Sequence, residues 1–426
     1  MAKINSNYAK LAAGYLFPEI NKRVSAFASA NPGVNVYRLG IGNTTEAIPA
    51  HILSGLSFGA EKLGKRETYS GYGDEQGDKR LREAIANYYL DVDAKIAPNE
   101  VFVSDGAKCD SANIQSIFSR DNVIAVQDPA YPVYIDTNVI AGRTGKFDSK
   151  SGQYEGIIYM PCTEEEGFIP NVSSFRIKTG EKFHGLRINL KADLIYLCSP
   201  NNPTGAVMNR KSLENFVQYA RENKSVIIFD AAYSWYVKDP DLPKSIYQIE
   251  GANECAIEIQ SFSKLAGFTG VRLGWAVVPM ALAVKNSKPG QLNGMWNRRQ
   301  TTFFNGASNI AQEGGLYVLS PEGRSECGGL VNYYMNNAGI IRKGLESMGI
   351  KVYGEDNAPY VWMKNPNGMK SWDFFDKMLK EARVVTTPGA GFGPSGEGYT
   401  RLSAFGHTER VQEAVESIKK NLERTW

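Results

Sequence analysis

The chain has 426 residues, 42 % hydrophobic and 22 % charged, with a formal net charge of +3. That balance fits a large globular protein with room for two domains, and it excludes a strongly basic surface for nucleic acid or anionic membrane. Five scattered cysteines without a CxxC pair exclude a disulfide framework and a structural zinc site, and the first twenty residues lack an apolar run suited to a signal peptide, so a cytoplasmic protein is expected.

In chain order, "VFVSD" (101–105) reads as a strand, followed by a helical stretch from about Lys108 to Ser119 and the strand "NVIAVQD" (122–128). Residues 143–192 have weak periodicity and yield no placeable element. Then come the strand "LIYLCSP" (194–200), an amphipathic helix in "RKSLENFVQYARENK" (210–224) and the strand "SVIIFDAAY" (225–233). Short β-branched runs separated by amphipathic helices predict βαβ units, an α/β fold and a mostly parallel sheet. These strands end at Asp105-Gly106, Asp128-Pro129, Ser199-Pro200 and Asp230. In open α/β sheets ligands bind beyond the carboxyl ends of the strands, which puts the expected site at these punctuating residues. After about residue 320 the pattern changes to a long helix, "GGLVNYYMNNAGIIRKGLESMG" (328–349), then "APYVWMK", another helix and "YTRLSAFG". That layout predicts a smaller α+β domain.

Several chemistries are absent from the sequence. "GFGPSG" (391–396) has the GxGxxG spacing, but a proline interrupts it and a strand-like run follows, so it reads as a glycine-rich turn. His51, His184 and His407 show no metal-ligand spacing. No GxSxG elbow or GxxxxGK[ST] loop occurs.

What remains is a set of residues at strand ends. "SFSKLAGFTGVRLGW" (261–275) places Lys264 among Ser261, Ser263 and Arg272. Asp230 closes an apolar strand and Tyr233 follows three residues later. Asn202 sits in "SPNNPTG", Tyr131 in "DPAYPVY", and "SDGAKCD" opens a helix at Ala107 and Lys108 with backbone N–H groups that suit an anion. Singly, each has an ordinary reading: Asp230 as a helix cap, Asn202 as a turn residue, the tyrosines as packed aromatics.

Their order resembles fold-type I pyridoxal-phosphate enzymes of the aspartate aminotransferase superfamily. Together with "YRLGIGNTTEAIP", "YSGYGDEQG", "FNGASNIAQEGGL" and "VVTTPGAGFGPSGEGYTRLSAFGH", it is similar along essentially the whole chain to the LL-diaminopimelate aminotransferases. This resemblance implies a ping-pong transfer of the amino group of L-glutamate to tetrahydrodipicolinate, in lysine biosynthesis, with pyridoxal 5′-phosphate as cofactor. It implies that Lys264 holds the cofactor covalently and serves as base, that Asp230 pairs with the pyridine nitrogen, and that Asn202 and Tyr233 bind the phenolic oxygen. Tyr131 would stack on the ring, while Ser261, Ser263, Arg272, Ala107 and Lys108 would hold the phosphate. Arg401 would take the substrate α-carboxylate, with Tyr15, Gly42, Tyr72, Glu75, Lys108, Asn202 and Asn305 lining the pocket. Tyr72, Glu75 and Asn305 would come from a neighbouring subunit, Tyr72 and Asn305 touching cofactor as well, which implies a homodimer. The implied domains are an arm at 1–35, a large cofactor-binding domain at 66–305, and a small domain from 36–65 and 306–426. An aminotransferase for another amino acid, or a lyase, is the alternative within the fold. A cofactor-binding regulator would need a helix-turn-helix segment ahead of the fold, and the family-like sequence begins by Tyr15.

Overall fold

The computed structural model describes residues 1–11, 16–175, 182–183, 186–187, 191–354 and 357–422. Its centre is a seven-stranded sheet of β1 (Val101–Ser104), β2 (Ile124–Asp128), β3 (Ile157–Pro161), β4 (Leu194–Cys198), β5 (Val226–Asp230), β6 (Ala256–Ser261) and β7 (Gly274–Val277). The order across the sheet is β1-β7-β6-β5-β4-β2-β3, parallel except for β7, which runs antiparallel to both neighbours. The predicted α/β class and mostly parallel sheet are what the structure has.

Both faces of this sheet are covered, which explains the unbroken apolar runs in its strands. Along β5, Val226 and Ile228 enter one core cluster while Ile227 and Phe229 enter another. The helix Arg210–Asn223 is capped by Asn209, whose side chain accepts from the Ser212 N–H at 2.8 Å. Left-handed Lys224 ends it, delivering the chain into β5.

A second, antiparallel sheet has the order β8-β9-β11-β10, from β8 (Val352–Tyr353), β9 (Tyr360–Lys364), β10 (Thr387–Pro388) and β11 (Tyr399–Ser403). Its register sets Arg401 between Trp362 and Thr387. One continuous core cluster runs from Val101, Val103 and Trp275 of the large sheet to Val361 and Leu402 of the small one.

Three sequence expectations shift. The helix after β1 spans Ala107–Asn113 and tightens to a 3-10 turn at Ile114–Ile117, starting and ending earlier than expected. The long helix runs Pro321–Glu346, because Ser320 caps it and Pro321 occupies its first turn, so Gly328 and Gly329 lie inside it. In 143–192, whose elements periodicity did not reveal, the structure has β3 and two-residue strands at Phe147–Asp148 and Gln153–Tyr154, with a further pair at Lys182–Phe183 and Leu186–Arg187. Tyr15 and His184 lie outside the described residues.

Candidate active site

Beyond the carboxyl ends of the large sheet is a cavity of about 340 Å³. The register Ser104↔Gly274↔Ser261 brings the ends of β1, β7 and β6 side by side. Gly274 permits this, since a Cβ there would lie 2.7 Å from both the Gln260 carbonyl oxygen and Gly106 Cα. At the same end, β6 delivers Ser261, Ser263 and Lys264 to the cavity, β5 delivers Asp230 and Tyr233, and the turn after β4 delivers Asn202. Ala107 and Lys108 come from the helix start after β1, Tyr131 from the loop after β2. Arg272 arrives just before β7, Arg401 on β11, and Gly42 from the segment after Tyr37–Arg38.

Lys264 lines the cavity. Its amine donates to the Gly42 carbonyl and lies 5.3 Å from the centre of the Phe405 ring. Burial, then the charges of Arg401 and Arg272, push its pKa down to about 7. A neutral amine at physiological pH is what a nucleophile or proton acceptor requires.

Asp230 is buried, and burial raises its pKa. Hydrogen bonds oppose that rise: the Tyr134 hydroxyl donates to Oδ2 at 2.6 Å and the Ala232 N–H donates to Oδ1 at 3.0 Å. Tyr134 is itself fixed by stacking on Tyr196, their centroids 5.5 Å apart. Tyr233 shares a hydroxyl hydrogen bond of 2.8 Å with Tyr360.

At the opposite side, Arg272 has φ +68° and donates through Nη1 to the Ser263 hydroxyl and the Thr269 carbonyl, each at 3.2 Å. Both of these partners are neutral, while the Asp105 carboxylate feels the Arg272 charge. Gly106 has φ +116°, and a Cβ there would lie 2.8 Å from Arg272 Nη2. Lys108 Nζ stands 5.8 Å from the centre of the Tyr131 ring.

Arg401 is 1 % exposed. Its Nη1 donates to Asn202 Oδ1 at 2.6 Å and its Nη2 to the Gly40 carbonyl at 2.6 Å. The guanidinium carbon lies 4.5 Å from the centre of the Tyr360 ring and 4.9 Å from that of Phe392. Nε has no hydrogen-bond partner among the described residues.

Residues 31–418 match the family model "Aminotransferase class I and II". The chain belongs to that family. This aminotransferase is also similar to L,L-diaminopimelate aminotransferase from Chlamydomonas reinhardtii, at 48 % identity over 98 % of both chains and a TM-score of 0.90. It resembles an aromatic aminotransferase from Pyrococcus horikoshii at 26 % identity, over 94 % of this chain and 98 % of that one, with a TM-score of 0.77. A Thermus thermophilus aspartate aminotransferase mutant shares the fold: 20 % identity, 99 % and 100 % coverage, TM-score 0.82.

Aminotransferases of this family are enzymes that use pyridoxal 5′-phosphate, and the residues present fit that group. A lysine amine near neutrality faces an aldehyde's needs, a buried carboxylate suits a pyridinium nitrogen, and a positively charged cradle kept open by Gly106 suits a phosphate.

Three expected pocket residues do not line this chain's cavity. Tyr72 is 89 % exposed, Asn305 is exposed and Glu75 half-buried. Asn305 and Glu75 belong to neighbouring segments, since a Cβ on Gly306 would lie 3.1 Å from the Asp74 carbonyl oxygen and 3.6 Å from Glu75 Cα. Residues the sequence reading missed include Tyr134, Tyr360, Thr269 and Cys198. Tyr134 carried a signal, three positions after Tyr131 in "DPAYPVY"; Tyr360 carried none, lying 127 positions from the hydroxyl it meets.

Proposed function

We propose that this aminotransferase forms LL-2,6-diaminopimelate from tetrahydrodipicolinate, taking its amino group from L-glutamate. The observation that carries the substrate assignment is the 48 % identity, along 98 % of each chain, with L,L-diaminopimelate aminotransferase. Bound in the cavity, pyridoxal phosphate supplies a carbonyl that condenses with amines and a ring that withdraws electrons from the substrate α-carbon.

The chain's residues supply the rest. Lys264 would hold the cofactor covalently, and its amine would serve as base for the substrate α-proton; a positioned base of this kind contributes roughly 10²–10⁴ in rate. Asp230 would pair with the ring nitrogen and favour its protonated form, since a unit charge pair at about 4 Å is worth on the order of 4 kcal/mol at an effective dielectric near 20. Tyr131 packs on the ring, while Tyr233 and Asn202 hydrogen-bond its phenolic oxygen. Ser261, Ser263, Arg272 and the first-turn N–H groups of Ala107 and Lys108 hold the phosphate. Arg401 takes the α-carboxylate in a two-pronged contact, which orients the α-carbon.

The working enzyme is a homodimer with sites shared between subunits. Residues 63–74 are exposed throughout in the single chain, Tyr69 and Tyr72 included, which supports their burial by a second copy. Presented with Asn305 and Glu75 to the partner's cavity, they supply a carboxylate suited to the second ammonium group of diaminopimelate. Residues 66–305 form the cofactor-binding domain, 36–65 with 306–426 the smaller one, and 1–35 an arm; the strands of the large and small sheets fall within 101–277 and 352–403 respectively. Five free cysteines support a reducing, cytoplasmic compartment.

A panel of amino donors tests the assignment. LL-diaminopimelate should exceed aspartate, alanine, lysine and aromatic amino acids in kcat/KM by orders of magnitude with 2-oxoglutarate as acceptor. Aspartate or an aromatic amino acid as best donor would replace the substrate and leave the aminotransferase family intact.

A further inference from the structure

Tyr360 joins the two ends of the cavity. It lies on β9, is 1 % exposed and lines the cavity. Its ring lies 4.5 Å beneath the Arg401 guanidinium carbon. Its hydroxyl is 2.8 Å from that of Tyr233. It also borders Gly42, where a Cβ would come 2.5 Å from the Tyr360 oxygen, and the Gly42 carbonyl accepts from Lys264.

Between two phenols, one must donate and the other accept. The cation over the Tyr360 ring draws electron density from it, which makes Tyr360 the stronger donor. Tyr233 then accepts, and its own proton is left for a second partner.

We propose that Tyr360 is a positioning residue with two separable actions: its ring face holds Arg401 for the substrate carboxylate, and its hydroxyl orients the Tyr233 O–H into the cavity. The proposal rests on the functional reading above, in which Arg401 takes carboxylate and Tyr233 donates to the cofactor's phenolic oxygen. It adds a residue to that site and divides its work between ring and hydroxyl.

The test uses holoenzyme carrying Tyr360→Phe or Tyr360→Leu, with Tyr360→Met standing in where leucine does not fold. Two properties are read without turnover: the dissociation constant of glutarate, a dicarboxylate with no amino group, and the pH midpoint of the cofactor's visible absorbance. A donor to the phenolic oxygen stabilises the deprotonated chromophore, so a weakened donor moves the midpoint upward. Tyr360→Phe should raise the midpoint and leave glutarate binding within about twofold. The aliphatic variants should raise the midpoint equally and weaken glutarate about tenfold, as expected for loss of a buried cation–aromatic contact. An unmoved midpoint in Tyr360→Phe would overturn the hydroxyl's action. Equal glutarate affinity in the phenylalanine and aliphatic variants would overturn the ring's. A wild-type protein with no visible absorbance would instead overturn the functional reading, and this inference with it.

Discussion

Lys264 is a buried amine beside two guanidinium groups, and its protonation has a consequence for stability. Its folded pKa of about 7 lies below its ordinary value of 10.5. Between those values the unfolded chain binds the proton and the folded chain does not, so stability increases as pH rises through that window. Relative to Lys264→Met, the cofactor-free protein should gain about 1.4 kcal/mol per pH unit between pH 7 and 10. Urea unfolding of both proteins across that range checks the slope; parallel curves would contradict a depressed lysine. The role proposed for Asp230, pairing with the ring nitrogen, is one that acts on rate. Asp230→Asn keeps its size and loses its charge, so cofactor binding should persist while kcat falls by at least a hundredfold, because the pair matters most when negative charge develops on the substrate carbon. Equal kcat in folded, cofactor-loaded Asp230→Asn would remove that role. Lys264, Arg272 and Asp230 stood out as chemistry-bearing side chains near strand ends and the structure brings them to one cavity, but only the resemblance gave them roles. Tyr360 looks like an ordinary buried aromatic in sequence; only its tertiary contact with Tyr233 distinguishes it.

At the scale of elements, the loop after β2 is tied to the turn before β11. Asp128 accepts from the Ser395 hydroxyl at 2.8 Å and N–H at 3.1 Å, and Ala130 N–H donates to the Phe392 carbonyl at 2.8 Å. The turn so held carries Phe392, whose ring lies against Arg401. Asp128→Ala leaves the Ser395 donors unpaired and should cost about 1–3 kcal/mol in stability. KM for dicarboxylates should rise in the same variant as Arg401 loses support. Asp128→Asn keeps an acceptor and should lose less on both measures; urea unfolding and steady-state kinetics at pH 7 decide. An alanine variant with wild-type stability and KM would show that the tie does no such work. The same turn held the misleading GxGxxG spacing; in the structure it is two 3-10 turns, Gly389–Phe392 and Pro394–Gly396, leading into β11. In the large sheet β1, β2, β4 and β5 were legible from continuous apolar runs, whereas β3, β6 and β7 were not placed. Nor were the two-residue strands near 147–154, since two residues carry no period.

At the scale of the whole molecule, a site assembled from two chains cannot be found in one chain's periodicity. Only the resemblance pointed to Tyr72, Glu75 and Asn305 as partner residues, and the single chain leaves Tyr72 and Asn305 exposed. If each site needs both subunits, Lys264→Ala and Glu75→Ala chains refolded together should form about half mixed dimers, each with one intact site. About a quarter of wild-type activity should then return from two nearly inactive parents; no recovery with mixed dimers confirmed would place both residues in one chain's site. The central claim, amino transfer from LL-diaminopimelate in the Lys264 cavity, is tested most directly by a single-turnover spectrum. Purified protein should be yellow, lose that colour within one turnover on addition of LL-diaminopimelate, and regain it with 2-oxoglutarate, while borohydride reduction of the yellow form should fix the cofactor on the peptide containing Lys264. Colour unchanged by LL-diaminopimelate but bleached by aspartate, or cofactor trapped on another lysine, would contradict the account.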